Sequence, residues 1–257
     1  MNYDTLRIHR SPGVMTAEIH RPQNRNSMNH QLLKELNNVL DEAERDPACR
    51  MVALRGCGGV FCTGMDFDEL VDGGPRDTAE DELVGPPLYL HTLKRFTLSP
   101  VIVAAVVEGE VTAGGVGLVA AADIAIGTPD SRFALSEALW GLLPAIVTPF
   151  LIRRCGFQAA YRMTLTTMPV SGDKAFAIGL LDECGPDVDE ILRRLFLRLN
   201  KVEESTVGNL KRYFRKMWMI TEEMERTAVE EISRLGSDPR VTRNIENFVK
   251  HGKMPWD

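Results

Sequence analysis

The first part of the chain alternates between polar and hydrophobic residues and then changes to a helical repeat. Residues 5–10 and 14–20 alternate with a period of two and flank the turn Ser11-Pro12-Gly13, which predicts a β-hairpin. Between Met28 and Ala43, hydrophobic residues recur three and four positions apart, a spacing that places them on one face of a helix. We therefore expect a hairpin followed by an amphipathic helix.

Two hydrophobic strands further along are each followed by a glycine-rich turn. Residues 51–54 precede Gly56-Cys57-Gly58-Gly59, and residues 101–107 precede Ala113-Gly114-Gly115-Val116-Gly117. The second turn leads into a short helix and then into a strand at residues 124–126. The second glycine-rich turn is therefore expected to join a strand to a helix.

Strands and helices alternate until about residue 187, after which the pattern is helical. Residues 72–87 are polar and rich in glycine and proline, as is typical of a loop, and a helical stretch follows at 88–97. Strands that alternate with helices favour an α/β fold. We predict a core over residues 1–190 and a helical region over residues 191–257.

The composition is that of a globular protein, but the charges are unevenly distributed. Hydrophobic residues make up 44% and charged residues 26% of the 257 positions, which argues against disorder. Residues 1–190 carry 16 basic and 26 acidic residues, whereas residues 191–257 carry 14 basic and 10 acidic residues. A net charge of −6 with an acidic body disfavours nucleic-acid binding.

The cysteines and the hydrophobic stretches indicate a reduced, non-membrane environment. Five scattered cysteines have neither disulfide-like nor zinc-ligand spacing, so no metal is expected. The N-terminus has no hydrophobic signal segment, and charged residues interrupt the most hydrophobic stretch, residues 100–126. We predict a cytoplasmic protein with no membrane partner.

The second glycine-rich turn also matches a dinucleotide-binding pattern. Gly115-Val116-Gly117-Leu118-Val119-Ala120 fits G-x-G-x-x-A, and Glu137 lies 20 residues beyond Gly117. A Rossmann helix needs roughly ten or more residues after such a turn. Because the next strand begins at about Asp123, we reject NAD binding.

The segment that follows the first glycine-rich turn and the second turn itself together predict a different site. Residues 61–67 and residues 113–115 each place the end of a strand before the start of a helix, where backbone N–H groups are unpaired. Two such groups that converge form an oxyanion hole, in which each donor contributes on the order of 3 kcal/mol.

Four motifs in the same order and spacing resemble the crotonase (enoyl-CoA hydratase/isomerase) superfamily. They are residues 20–29, residues 61–66, the Ala113-Gly114-Gly115 turn and residues 133–137. The resemblance covers essentially the whole chain. It implies an α/β fold with a spiral core of ββα turns, and a C-terminal helical region that forms trimers or paired trimers. It also implies that the amides of Met65 and Gly114 hold a thioester carbonyl.

One catalytic position departs from the pattern of the hydratases in this superfamily. Those enzymes use two glutamates, and the corresponding positions here are Gly117 and Glu137. A single carboxylate can act as a general base at the α-carbon, but Gly117 cannot activate water. The departure disfavours ordinary hydration and leaves isomerisation or elimination. Asp66 is a candidate for the missing acid, although an aspartate at a helix start often serves as a cap.

Finer similarity favours elimination. Residues 111–117, 135–145 and 149–154 and the ending 252–256 look like the first crotonase-type enzyme of polyketide β-branching cassettes. That resemblance implies dehydration of a 3-hydroxy-3-methylglutaryl thioester, tethered to an acyl carrier protein, to a 3-methylglutaconyl thioester. No cofactor is expected beyond the phosphopantetheine that carries the substrate. His91, Lys94 and Arg95 are candidates to bind the distal carboxylate of the substrate, although a solvated helix face would also explain them.

A basic cluster near the C-terminus is a candidate docking surface for the carrier protein. Lys211, Arg212, Arg215 and Lys216 fall within six residues, and an acidic partner would be attracted to them. An exposed helix face near a subunit contact explains the cluster equally well.

Three other functions remain open. A Δ3,Δ2-enoyl-CoA isomerase would use the same single glutamate on ordinary fatty-acyl thioesters. A decarboxylase of the same cassette would release carbon dioxide instead of water. A non-catalytic crotonase-fold protein would not need Glu137.

Overall fold

The computed structural model describes residues 3–72, 83–218 and 220–257. These residues form two sheets surrounded by helices. The strands are β1 (Leu6–Ser11), β2 (Val14–Ile19), β3 (Met51–Gly56), β4 (Val60–Cys62), β5 (Ile102–Val107), β6 (Glu110–Thr112), β7 (Ile124–Gly127), β8 (Arg132–Ala134), β9 (Val170–Ser171) and β10 (Glu183–Cys184). The helices are α1 (His30–Arg45), α2 (Phe67–Val71), α3 (Pro86–Leu98), α4 (Gly114–Ala121), α5 (Glu137–Trp140), α6 (Val147–Cys155), α7 (Phe157–Thr166), α8 (Gly172–Ala177), α9 (Val188–Leu199), α10 (Glu204–Met217), α11 (Glu222–Gly236) and α12 (Pro239–His251).

The larger sheet has the strand order β1-β2-β3-β5-β7-β10. Strands β1 and β2 form the predicted antiparallel hairpin, and the remaining neighbours in the sheet are parallel. Every residue of β5 is buried, which explains its uninterrupted hydrophobic sequence, because strands of a parallel sheet are covered on both faces. The predicted hairpin and hydrophobic strands are therefore confirmed.

The smaller sheet has the order β4-β6-β8-β9, and its first three strands are parallel. The chain passes from β3 to β4, from β5 to β6 and from β7 to β8, so each turn of the spiral adds one strand to each sheet. The carboxyl ends of parallel strands lie at the same edge. The segments that follow β4, β6 and β8 therefore emerge side by side.

The predicted helices are present with small shifts at their ends. The amphipathic helix expected between residues 28 and 43 is α1, where the Asn29 side chain accepts a hydrogen bond from the backbone N–H of Leu32. The helix expected at 88–97 is α3 and begins two residues earlier, at Pro86. Most of the loop predicted at 72–87 falls outside the described residues.

The four C-terminal helices pack against the core. Helix α9 lies on β5 and β7, α10 and α11 contact α3, and α12 contacts both α2 and α5. Phe248 of α12 contacts Phe67 of α2 and Trp140 of α5 in edge-to-face geometry, with ring centroids 6.3 and 5.2 Å away. Helix α12 therefore holds together the short helices that follow β4 and β8. No helix in the described ranges is long and hydrophobic enough to cross a membrane.

Candidate active site

The two turns predicted to form one site are in direct contact. A Cβ atom placed on Gly64 would lie 2.7 Å from the Cβ of Ala113 and 3.1 Å from the backbone nitrogen of Gly114. The side-chain hydroxyl of Thr112 donates a hydrogen bond of 3.0 Å to the carbonyl of Thr63. Gly64 also has a φ of +89°, a conformation that favours glycine. The residue after β4 is thus constrained by the turn after β6.

The hydrogen bonds around Met65 leave its backbone N–H available. The N–H of Met28 donates to the carbonyl of Gly64 at 2.6 Å, and the N–H of Asp66 donates to the carbonyl of Met28 at 2.9 Å. Met65 lies between these two bonds, and within the described ranges its N–H donates to no other group.

Gly114, the predicted second donor, is the first residue of α4. Its N–H has no intrahelical partner and, among the described residues, no other acceptor. The preceding Ala113 has a φ of +49°, which costs an alanine on the order of 1–3 kcal/mol. Backbone strain of this kind is concentrated at functional sites, and here it sets the direction of the Gly114 N–H. The contact between the turns supports the oxyanion hole predicted at Met65 and Gly114.

Glu137 begins α5 immediately after β8, which is the strand beside β6. Only 9% of the residue is exposed, and its Oε2 atom has no hydrogen-bond partner in the described part of the chain. Burial raises the pKa of this carboxyl from 4.5 to about 7. A carboxylate with that pKa is suited to general-base catalysis near neutral pH.

Asp66 has the opposite environment, and the structure corrects its assignment as a candidate acid. One carboxylate oxygen accepts hydrogen bonds from the backbone N–H groups of Asp68 and Glu69 at the start of α2. The other accepts hydrogen bonds from Arg21 at 2.8 Å and from the hydroxyl of Ser27 at 3.0 Å. Because both oxygens are engaged, Asp66 is a helix cap and an ion-pair partner.

Tyr89 is a residue of the site that the sequence reasoning missed. It lies on α3, and its hydroxyl donates a hydrogen bond of 2.6 Å to the carbonyl of Gly114. A Cβ atom placed on Gly117 would lie only 2.0 Å from that hydroxyl oxygen. The signal available in the sequence was Gly117, which stands where the hydratases have a glutamate. The absence of a side chain there leaves space that another side chain can fill.

The three residues predicted to bind the distal carboxylate lie elsewhere. Lys94 forms an ion pair of 2.7 Å with Glu225, and Arg95 forms ion pairs with Asp41 and Glu44. His91 is exposed and lines a surface depression together with Lys94 and Arg95. With 3.6 residues per turn, these positions lie on the face of α3 opposite Tyr89. Their charges support helix packing and solvation, and the substrate role assigned to them is not supported.

The basic cluster on α10 divides into structural and exposed residues. Lys211 is buried, pairs with Asp123 and donates to the carbonyls of Phe96 and Val101. Arg215 pairs with Glu225 and lies over the ring of Trp218, 4.3 Å from its centroid. The prediction that these two residues dock a partner is therefore wrong, because they hold α10 to the core.

Arg212 and Lys216 are the exposed members of the cluster. They lie one helical turn apart on the same face of α10, and the Arg212 side chain donates a hydrogen bond to Asn209 of its own helix. These two side chains can reach a partner, and the docking prediction for them stands.

A cluster of potential metal ligands around Cys57 was not expected from the sequence. Glu18, His20 and Cys57 each place one potential ligand atom within 4.8 Å of the others. All three are half-buried, and the Nδ1 of His20 lies 3.5 Å from a carboxylate oxygen of Glu18. The spacing of Cys57 and Cys62 gave no sign of this cluster. The residues near Cys57 come instead from β2 and from the segment after it, which are distant in sequence.

Comparison with known proteins agrees with this geometry. The sequence profile of the enoyl-CoA hydratase/isomerase family matches residues 9–257. The chain belongs to that family. It is an enzyme, a carbon–oxygen lyase of the enoyl-CoA hydratase type.

Individual relatives cover the chain to different extents. Bacillaene synthase dehydratase PksH of Bacillus subtilis (strain 168) is 35% identical over 260 residues, which span 100% of this chain and 98% of that protein. Enoyl-CoA hydratase EchA19 of Mycobacterium tuberculosis is 29% identical over 191 residues, or 74% of this chain and 71% of that protein.

Solved structures confirm the fold as a whole. The crystal structure of the Bacillus subtilis polyketide biosynthesis enoyl-CoA hydratase (pksH) has a TM-score of 0.89 and 33% identity, covering 99% of this chain and 100% of that one. An enoyl-CoA hydratase from Mycobacterium avium has a TM-score of 0.83 and 27% identity, with complete coverage of both chains. The predicted α/β crotonase fold with C-terminal helices is confirmed.

Proposed function

We propose that this enzyme is a dehydratase of polyketide biosynthesis. Its substrate would be a 3-hydroxy-3-methylglutaryl thioester on an acyl carrier protein, and its product a 3-methylglutaconyl thioester. The observation that carries the proposal is the combination of a glycine at position 117 with a buried Glu137, whose Oε2 has no hydrogen-bond partner among the described residues. The full-length similarity to bacillaene synthase dehydratase PksH supports the same reaction and pathway type.

The residues of the site would act in a fixed order. The N–H groups of Met65 and Gly114 would bind the thioester oxygen and thereby acidify the hydrogens on C2. Glu137 would remove one of these hydrogens, and the C3 hydroxyl would then leave. Each oxyanion donor contributes on the order of 3 kcal/mol, and a positioned general base contributes roughly 10²- to 10⁴-fold.

Two other reactions would use the same residues. An enoyl-CoA isomerase would need only Glu137 and the oxyanion hole, and a decarboxylase would need the oxyanion hole to stabilise the enolate formed on loss of carbon dioxide. Both are consistent with the single carboxylate. The released molecule distinguishes the three reactions: the dehydratase releases water, the decarboxylase releases carbon dioxide, and the isomerase releases nothing.

We further propose that Arg212 and Lys216 on α10 attract the acidic carrier protein. Complementary charge increases the association rate of partners and makes it dependent on salt. The presence of both residues on one exposed helix face supports this part of the proposal.

We also propose that the chain self-associates as a trimer or as paired trimers. Several large hydrophobic side chains are exposed on α7 and α10. Three of them, Phe157, Phe214 and Met217, line a groove of about 1040 Å³ between α6 and α10. Isolated monomers rarely leave such patches uncovered. The exposed residues are Phe157, Tyr161, Leu165, Phe214 and Met217.

The mass of the product tests the proposed function directly. The purified enzyme is incubated with 3-hydroxy-3-methylglutaryl acyl carrier protein, and the carrier is analysed by intact-protein mass spectrometry. A decrease equal to one water molecule supports dehydration. A decrease equal to carbon dioxide with the 3-methylglutaconyl carrier would indicate the decarboxylase, and turnover confined to unbranched 3-enoyl thioesters would indicate the isomerase.

A further inference from the structure

The space beside Gly117 is filled by the hydroxyl of Tyr89. A Cβ atom placed on Gly117 would lie 2.0 Å from the Tyr89 hydroxyl oxygen, 3.2 Å from its Cζ atom and 3.0 Å from a methyl carbon of Val147. A separation under 3.0 Å forces the neighbouring atom to move, and a tyrosine ring packed against the core cannot shift far. Any larger residue at position 117 would displace Tyr89. With glycine at position 117, the glutamate of the hydratases is absent and the Tyr89 hydroxyl occupies the space.

Tyr89 is held between the two halves of the proposed site. Its hydroxyl donates to the carbonyl of Gly114, whose N–H is one of the oxyanion donors. After burial and the nearby Cys62, the charge of Glu137 also contributes to the raised pKa of Tyr89. A single phenol group therefore connects the residue that binds the thioester oxygen with the residue that removes the C2 proton.

The environment of Tyr89 keeps its hydroxyl protonated. The side chain as a whole is half-buried, and burial of the hydroxyl end, reinforced by the nearby negative charge of Glu137, raises the pKa of Tyr89 well above its ordinary value of 10. A phenol of this kind is a persistent hydrogen-bond donor and a poor source of protons. It suits the stabilisation of a leaving oxygen better than full proton transfer.

We infer that Tyr89 is a further catalytic residue, whose single O–H turns from the carbonyl of Gly114 to the C3 hydroxyl of the substrate as that hydroxyl leaves. The inference rests on the proposed dehydration, because the other reactions considered have no leaving hydroxyl. Tyr89 then serves at the position where a hydratase has its first glutamate, without supplying a second carboxylate.

The step balances with no other reactant. Glu137 takes a proton from C2, and the electron pair of the C–H bond moves into the thioester enolate. The enolate then re-forms the carbonyl, the C2–C3 double bond forms, and the C3–O bond breaks. The Tyr89 O–H leaves the carbonyl of Gly114 and donates its hydrogen bond to the departing oxygen, and protonated Glu137 transfers its proton to that oxygen. One water molecule leaves, and both side chains regain their starting protonation states.

Substitution of Tyr89 by phenylalanine tests the role of the hydroxyl. For Tyr89→Phe we expect the turnover of 3-hydroxy-3-methylglutaryl carrier protein to fall about 10- to 100-fold, the range for loss of one hydrogen bond to a group that gains charge. Exchange of the C2 hydrogens with deuterated solvent, measured on 3-methylglutaryl carrier protein, should stay at the wild-type rate. That thioester has no C3 hydroxyl, so its exchange depends on Glu137 and the oxyanion hole alone. Tyr213→Phe removes an exposed phenol and serves as the matched control.

The outcomes are distinguishable. Equal losses of elimination and exchange in Tyr89→Phe would show that the hydroxyl only supports Gly114, and unchanged elimination would show that it has no role. Either result overturns the inference while the proposed function stands. If the wild-type enzyme releases no water from the substrate, both the proposed function and the inference fail.

A double-mutant cycle at position 117 provides a second test. Gly117→Ala should reduce elimination because its Cβ atom displaces the Tyr89 hydroxyl. In a Tyr89→Phe background the same substitution should cost several-fold less, because the atom it displaces is absent. Equal costs in the two backgrounds would contradict a role for the contact between Gly117 and Tyr89.

Discussion

The segment after β4 and the segment after β8 show how similar positions can produce different chemistry. Each follows a strand of the smaller sheet and places a carboxylate at the beginning of a short helix. The exposed fractions are almost the same, 4% for Asp66 and 9% for Glu137. Asp66 accepts hydrogen bonds at both oxygens, whereas the Oε2 of Glu137 has no partner among the described residues. Burial alone therefore does not identify the reactive carboxylate, and the hydrogen-bond partners do.

The difference has an energetic meaning. Several donors around a buried carboxylate stabilise its charged form, whereas burial with few donors destabilises that form. The raised pKa of Glu137 is the consequence of this penalty, and it brings the proposed base into the range where proton abstraction is efficient. Burial of the Glu137 carboxylate therefore lowers the stability of the fold and, in the proposed reaction, makes this group a better base.

The largest expected effect is kinetic. Glu137→Gln preserves the shape of the side chain and removes the base, so we expect dehydration to slow by roughly 10²- to 10⁴-fold. The melting temperature should stay the same or rise, because a buried group that carries charge is replaced by a neutral one. Exposed Glu223, changed to glutamine, is the matched control. Dehydration at a near-native rate in Glu137→Gln would show that another residue is the base.

The second substitution should affect stability. Asp66→Ala leaves Arg21 without its carboxylate partner and uncaps α2, so we expect the free energy of unfolding to fall by about 3–5 kcal/mol, the range for breaking a buried ion pair. Chemical denaturation measures the change, with the exposed neighbour Asp68→Ala as the control. An Asp66→Ala variant that keeps wild-type stability but loses dehydration would reverse the roles assigned to the two carboxylates.

The sequence predicted the scaffold of the site better than the roles of its polar residues. The alternating hairpin, the hydrophobic strands and the glycine-rich turn at the start of α4 are local patterns, and the structure places them as expected. The partners of Lys211 and Asp66 come from residues distant in sequence, Asp123 and Arg21, so neither assignment could be tested from spacing. Tyr89 was missed because its position is determined by packing of α3 against α4, which no local motif records.

The third prediction concerns pH and stability. Because the pKa of Glu137 is raised from 4.5 to about 7, the folded protein binds more protons than the unfolded chain between these values. This group therefore stabilises the fold at low pH, and its contribution is lost as the pH rises through that interval, by about 3 kcal/mol in total. Denaturation across the interval should show a smaller decrease for Glu137→Gln than for the wild type. Identical slopes for the two proteins would show that Glu137 has an ordinary pKa.

The smallest expected effect is on docking. Arg212→Glu combined with Lys216→Glu should raise the KM for the carrier-tethered substrate about 3- to 10-fold at low salt, and much less at high salt. The KM for a short pantetheine thioester should not change. Arg194→Glu with Arg198→Glu has the same spacing on α9 and is the control. Equal effects on both substrates would remove the docking proposal and leave the comparison of carboxylates intact.

The pH dependence of the dehydration rate tests the central role of Glu137 most directly. We expect kcat/KM for 3-hydroxy-3-methylglutaryl carrier protein to rise with pH through a midpoint of about 7, as Glu137 loses its proton. The residual activity of Glu137→Gln should lack that rise. A rate that does not change across this range, or the same rise in both proteins, would contradict the assignment of Glu137 as the base.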